Sequence, residues 1–225
     1  ALLDADFGLA NAHIMLNQKV EANIAEFLEG TKSIDELVHV SVAGLKLIPG
    51  GSGVLEIMNI DSTKRWQVIR SLDHIKDDLE VLIVDTPAGA SDSSIEFAAA
   101  CDQILVVLVG EPTSFMDAYA FIKALHMEKG VEKVSIVVNL AKDASHANQS
   151  FNSFKKIVTQ FLSVEVVLAG WLPNTHIISN SIVARKPFVL NSKADPSLNK
   201  KIRGIIQNVE ELEILPNKNI KFFDS

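Results

Sequence analysis

The chain has 225 residues, 48% of them hydrophobic and 22% charged, with a formal net charge of −7 and a single cysteine. That length gives one domain or two small ones, with a core that needs no metal or disulfide support, and a lone cysteine excludes an intramolecular disulfide framework and fits a reducing cytoplasm. The acidic balance argues against a dedicated nucleic-acid binder, and no apolar run approaches the roughly 20 residues that span a bilayer.

The sequence opens at Ala1-Leu2-Leu3-Asp4, without a methionine and already inside an apolar run. The expectation is therefore that an N-terminal portion is missing. Leu2-Leu3 reads as part of a strand, and Gly44-Leu45-Lys46-Leu47-Ile48 as a weaker one. Asp61-Ser62 is a helix N-cap signal, followed by Trp66, Ile69, Leu72 and Ile75 at helical spacing. Next come Val81-Leu82-Ile83-Val84 and the six apolar residues 104–109, with a helix expected over 113–128. The run 134–138 and the stripe Phe151, Phe154, Ile157, Val158 and Phe161 give another strand and helix. Residues 164–168 and the stripe Leu198, Ile202, Ile205, Val209 and Leu212 complete the series. Short, continuously apolar runs are what strands buried on both faces look like. Strand and helix alternate with crossovers long enough for parallel pairing. The pattern predicts an α/β protein, a doubly wound, mostly parallel sheet with helices on both faces. It is expected to form one domain over 1–225, with residues 213–225 as a C-terminal tail.

In such sheets ligands sit at the carboxyl ends of the strands, so the residues that follow each apolar run carry the chemistry. Asp4 and Asp6 follow the first, two apart and so on one side of an extended chain. Asp85 follows the strand at 81–84, in Asp85-Thr86-Pro87-Ala88-Gly89. Three carboxylates around one point suit Mg²⁺, a hard cation that keeps waters and shares its shell with phosphate. The alternative is that each aspartate caps a following turn or helix. Gly89 permits positive φ or close approach to a phosphate, and such a loop can respond to a γ-phosphate. Asn139 follows the run at 134–138, where its amide either reads an adenine edge or forms a turn. Gly170-Trp171-Leu172-Pro173-Asn174 stands where it would wall the base.

Other chemistries are poorly represented. Pro49-Gly50-Gly51-Ser52-Gly53 lacks the Gly-Lys-Ser/Thr ending of a phosphate loop, with Val54 and Leu55 in its place, and reads as a tight loop. The six histidines have no HExxH spacing, and Cys101 has no cysteine partner for zinc and reads as a packed small residue. No Gly-x-Ser-x-Gly elbow is present.

Taken together, these residues resemble a known family. The segment from Leu2 to Asn11, Leu-Leu-Asp-Ala-Asp-Phe-Gly-Leu-Ala-Asn, and Val84-Asp85-Thr86-Pro87-Ala88-Gly89 are similar to the second motif and the Walker B and switch II segment of MinD/ParA-class dimerising P-loop ATPases. The string from Leu45 to Gly53, Glu111-Pro112-Thr113-Ser114 with Asp117-Ala118-Tyr119, and Gly170-Trp171-Leu172-Pro173-Asn174 followed by Pro187-Phe188-Val189 resemble the FlhG (FleN, YlxH) branch, which controls flagellar number and placement.

The resemblance implies roles. Asp4 would bind Mg²⁺ through water, Asp6 would orient or activate the attacking water at a sandwich-dimer interface, and Asn11 would lie in the same switch. Asp85 would be the Walker B carboxylate, with Thr86 and Gly89 in switch II, and Asn139, Pro173 and Asn174 would hold adenine. The implied cofactors are ATP and Mg²⁺. The family's first strand, its lysine-bearing phosphate loop and the next helix have no counterpart in these residues. Without a phosphate cradle the 225 residues alone are expected to bind ATP poorly and hydrolyse none.

The implied function is a cytoplasmic, ATP-switched homodimer that hydrolyses ATP and regulates flagellar number or placement. Its partners would be a membrane-associated flagellar GTPase, a flagellar transcription activator or switch-complex proteins, with no direct nucleic-acid contact. The alternatives are a non-catalytic interaction module and a partition or division-site ATPase. For the stripe 198–212, Lys200, Lys201 and Arg203 at one end face Glu210, Glu211 and Glu213 at the other. Core packing is the preferred reading over peripheral membrane binding.

Overall fold

The computed structural model describes residues 1–41, 44–51, 60–190, 195–212 and 219–223. The chain packs as two compact units. One comprises Ala1–Cys101, Ser181–Leu190 and Ile220–Ser225, and the other Asp102–Asn180 and Asn191–Asn219.

The first unit contains β1 (Leu2–Asp4), α1 (Ala12–Met15), α2 (Ile24–Leu28), β2 (His39–Val40), β3 (Lys46–Ile48), α3 (Ser62–Ser71), β4 (Ile83–Asp85) and α4 (Asp92–Ala99). Its strands lie in the order β2-β3-β1-β4. β1 pairs in parallel with β3 and β4, and only the two-residue β2 runs antiparallel. Local chemistry sets the helix starts. Asn23 and Glu26 form a reciprocal capping box on α2, Asp61 caps the amide of Lys64 on α3 as expected, and Ser91 caps that of Ser94 on α4. The core gathers Leu3, Phe7, Ile24, Leu37, Ile48, Val68, Leu72 and Phe97, and full burial of one such side chain is worth about 1.5–3 kcal/mol. Phe222, within the stretch read as a tail, joins the same core: it stacks on Phe97 and its amide donates to Ala100 O.

The second unit contains β5 (Leu105–Val109), α5 (Pro112–Lys129), β6 (Lys133–Ala141), α6 (Ala144–Phe161) and β7 (Glu165–Pro173). After α7 (His176–Val183), α8 (Pro196–Glu210) belongs to it too. Its sheet is parallel, in the order β5-β6-β7. Pro112 opens α5, and Gly130 ends it at φ 68°. α8 rests on β7, its Ile205 in a cluster with Val137 and Ala169 and its Val209 packed against it. This is the core-packing reading. Lys201 Nζ also lies 3.3 Å from the Trp171 ring centroid.

The α/β architecture with mostly parallel pairing follows the sequence pattern, but three details depart from it. β6 is buried through residues 134–138, whereas Ile83 of β4 is 58% exposed and Val107 of β5 likewise. These two strands lie at sheet edges, and their apolar runs are not buried on both faces. β2 is too short to carry a periodic signal. On α3, Trp66 of the expected stripe is exposed and the buried position beside it is Arg65.

Candidate functional site

The register of β1 against β4 pairs Asp4 with Asp85, and the amide of Ala5 donates to Asp85 O at 2.8 Å. Adjacent parallel strands stand about 4.8 Å apart, so both carboxylates emerge side by side at the carboxyl end of the sheet. Asp4 is almost fully buried. Its Oδ2 accepts the amides of Asn11 and Ala12, each at 2.9 Å, and its Oδ1 that of Asp6 at 3.3 Å. One carboxylate thereby closes residues 5–11 into a loop and satisfies the first turn of α1. Asp6, half-buried, accepts the Leu9 amide at 3.2 Å. Asn11 is exposed at the N-cap of α1, its side chain capping nothing.

Asp85 feels the arrangement. Desolvation, then the negative charges of Asp4 and Asp6, push its carboxyl above the ordinary carboxylate range. Even so, among the described residues no group of three or more Asp, Glu, His or Cys side chains is placed to hold one metal ion. Asp4, Asp6 and Asp85 are brought to the same end of the sheet, with Asp4 accepting three backbone amides and Asp6 that of Leu9 in its own loop.

Past Asp85 the chain carries half-buried Thr86 and then Gly89 at φ 88°, the positive φ expected there. Ser94, fully buried on α4, donates its hydroxyl to Pro87 O at 2.9 Å and shares a bond of 2.8 Å with Ser91 Oγ. The loop 86–91 is thus tied to the helix that follows it. A cleft of about 660 Å³ opens between this loop and residues 5–9, lined also by Ile60, Asp61, Ser62 and Arg65. Arg65 was not singled out by sequence, because a helical arginine normally reads as solvated. Its guanidinium is buried against Glu96 and Ile60 O, and lies 4.0 Å from Asp92. The only sequence signal is an arginine in an otherwise apolar stripe.

Gly50 of the glycine-rich string packs against Asp4 and Phe7, and Ser52, Gly53, Val54 and Leu55 lie outside the described residues. A Cβ on Gly50 would stand 2.2 Å from Asp4 O and 3.0 Å from the Phe7 ring. The string is therefore tight at Gly50 for close backbone approach, as its reading as a loop predicts.

In the second unit Asn139 lies within β6, its Oδ1 accepting the Leu140 amide at 2.9 Å, while Leu140 takes a φ of 54°. That is the turn-forming geometry. Pro173 pairs with Ala141, and the Asn174 amide donates to Ala141 O at 3.1 Å. Asn139, Pro173 and Asn174 are accordingly gathered at the carboxyl end of the β6–β7 pair. Cys101 is half-buried, its thiol donating to Phe97 O, as a packed small residue would be. Among the described residues no helix is long and apolar enough to cross a membrane.

The chain is similar to known proteins over most of its length. The chain is 28% identical over 224 residues to the antiactivator FleN of Pseudomonas aeruginosa, covering 99% of this chain and 80% of that protein. It is 26% identical over 186 residues to the flagellum site-determining protein YlxH of Helicobacter pylori, covering 82% of this chain and 63% of the relative. The structure of the septum site-determining protein MinD of Pyrococcus horikoshii complexed with Mg-ADP superposes with a TM-score of 0.69 at 15% identity, over 93% of this chain and 81% of that one, a likeness of fold. The ParA family model, described as NUBPL iron-transfer P-loop NTPase, matches residues 2–210. The chain belongs to the ParA family of P-loop NTPases.

Proposed function

We propose that this chain forms the switch and Walker B portion of an ATP-dependent, dimerising ATPase that regulates the number or placement of flagella. The observation that carries the reading is the in-register pairing of Asp4 with Asp85 at the mouth of two loops, 5–11 and 86–91. The donor set fits Mg²⁺: every candidate ligand is an oxygen, and Asp85 bears a charge its surroundings oppose. Asp85 would hold the ion, with Asp4 reaching it through water because its own oxygens already accept amides. When bound, Mg²⁺ neutralises charge on phosphate oxygens. Asp6 orients the attacking water, Asn11 shares its loop, Thr86 and Gly89 let the second loop close on phosphate, and Asn139 with Pro173 and Asn174 holds adenine.

The 225 residues contain no Gly-Lys-Ser/Thr phosphate loop, and on their own are proposed to be inactive. In a chain joined to such a loop, hydrolysis would release the dimer, so that it acts as a timer on its partners. FleN, named as an antiactivator, and YlxH, named as site-determining, favour a flagellar transcription activator, a flagellar GTPase or switch-complex protein as those partners.

The test is Asp6→Ala in the chain joined to a lysine-bearing phosphate loop. Dimerisation with Mg²⁺ and ATP should persist while turnover is lost. Unchanged turnover in a variant that still dimerises would remove Asp6 from the role. Deleting the gene should change the number or position of flagella per cell. Normal flagella with misplaced septa would instead favour the division-site reading.

A further inference from the structure

Loop 5–11 is joined to α4, the helix into which loop 86–91 leads, by an aromatic contact that neither loop's proposed task requires. Phe7 immediately follows Asp6 and is almost fully buried. Its ring meets Phe97 of α4 edge-on, with centroids 5.4 Å apart and planes at 80°. Phe97 has no exposed surface and is backed by Phe222, stacked at 6.1 Å. On its other side Phe7 approaches Gly50 so closely that a Cβ there would stand 3.0 Å from the ring. Phe7 is thus wedged between α4 and the turn after β3 and has little room to change rotamer.

We infer that Phe7 is a positioning residue through which α4 sets the placement of Asp6. This rests on the reading of Asp6 given above. The chain of contacts is continuous. Pro87 O is held by the Ser94 hydroxyl, Ser94 and Phe97 lie on one helix, Phe97 supports Phe7, and Phe7 is bonded to Asp6. The Asp4 carboxylate fixes both ends of the 5–11 loop through the amides of Asp6, Asn11 and Ala12. With its ends held, the loop responds to α4 at the wedge, and beyond the wedge Leu9 is 70% exposed. A movement of loop 86–91 that shifts α4 is therefore delivered to Asp6 without the two loops touching the same ligand atom. By reciprocity, disturbing Phe7 loosens the start of α4.

Amide hydrogen exchange on the chain without nucleotide tests the contact by itself. An edge-to-face pair corresponds to about a three- to tenfold change in a local opening equilibrium. Phe97→Leu should speed exchange of the Asn11 and Ala12 amides by that factor, and Phe7→Leu should do the same for the Ser94 amide. The effect of the double variant should fall well short of the product of the two single effects, because either substitution already removes the Phe7–Phe97 contact, although Phe97→Leu also loses the stack on Phe222. Phe154→Leu, in the core of the other unit, controls for general destabilisation and should leave these three amides unchanged. Phe7→Met and Phe97→Met give the same comparison should a leucine variant not fold. Exchange at Asn11 and Ala12 within twofold of wild type in the Phe97 variant, or effects of the two single variants that multiply, would overturn the inference. In the chain joined to a lysine-bearing phosphate loop, Phe97→Leu should lower kcat with KM for ATP kept. Failure of that joined chain to bind ATP would sink the reading of Asp6 and leave the exchange result standing as evidence on the contact.

Discussion

At the scale of single residues, Asp85 is the carboxylate whose ionisation its neighbours oppose. Its folded-state pKa lies above the ordinary value of 3.8, so the folded protein holds this proton more tightly than the unfolded chain. The stability it contributes is complete below about pH 3.8 and is lost as pH rises through the raised value. At neutral pH the charged form is a net cost. Asp85→Asn should therefore raise the melting temperature of the metal-free protein at pH 7, with the difference narrowing as pH falls toward 3.8. Added Mg²⁺ should raise the melting temperature of the wild type more than that of the variant. Gly50 is the other sensitive position. Because a Cβ there would press on Asp4 O, Gly50→Ala should cost about 1–3 kcal/mol of unfolding free energy, read as a lower denaturant midpoint. These two residues also divide what the sequence disclosed. Asp85 was legible because acidic residues at the end of an apolar strand are unusual. The restraint on Gly50 was not, since a backbone approach from a distant segment leaves no trace in local composition.

At the scale of elements, the pairing of α3 with α4 rests on a buried charge. Arg65 and Glu96 face each other with side chains 9% and 13% exposed, while Asp92 on the same network is 85% exposed. Removing one partner of a buried pair costs about 3–5 kcal/mol. An exposed pair contributes about 0–1 kcal/mol. Chemical denaturation of Arg65→Met should show the large loss and Asp92→Asn almost none. A comparable loss in both would mean that the network is held by its rim rather than its interior. Strands and helices themselves were recovered from apolar runs and cap residues, as at Asp61 and Pro112. What periodicity could not supply was which side of an edge strand stays open, as at Ile83 and Val107, or that a buried helix position is filled by Arg65. Both depend on neighbours brought in by tertiary pairing.

For the whole molecule, the net charge of −7 leaves little basic surface to release counterions from a polyanion. Gel-shift titration with duplex DNA at about 0.15 M salt should show no retention, and retention that weakens steeply with salt would contradict this. Asn139, Pro173 and Asn174 meet at one strand end, as their places after apolar runs predict. Their orientation was not legible, because an asparagine amide at such a place serves its own backbone as readily as a base. Phe222 has a consequence for biosynthesis. Lys221 reaches Cys101 O across 120 residues of sequence, and beside it Phe222 fills the core built from the beginning of the chain. A ribosome adding about 5–20 residues per second therefore finishes the early β-strands roughly ten seconds before this aromatic neighbour emerges. During that interval Phe97 lacks its stacking partner, and nascent chains stalled before residue 222 should be more protease-sensitive in their first hundred or so residues than released ones.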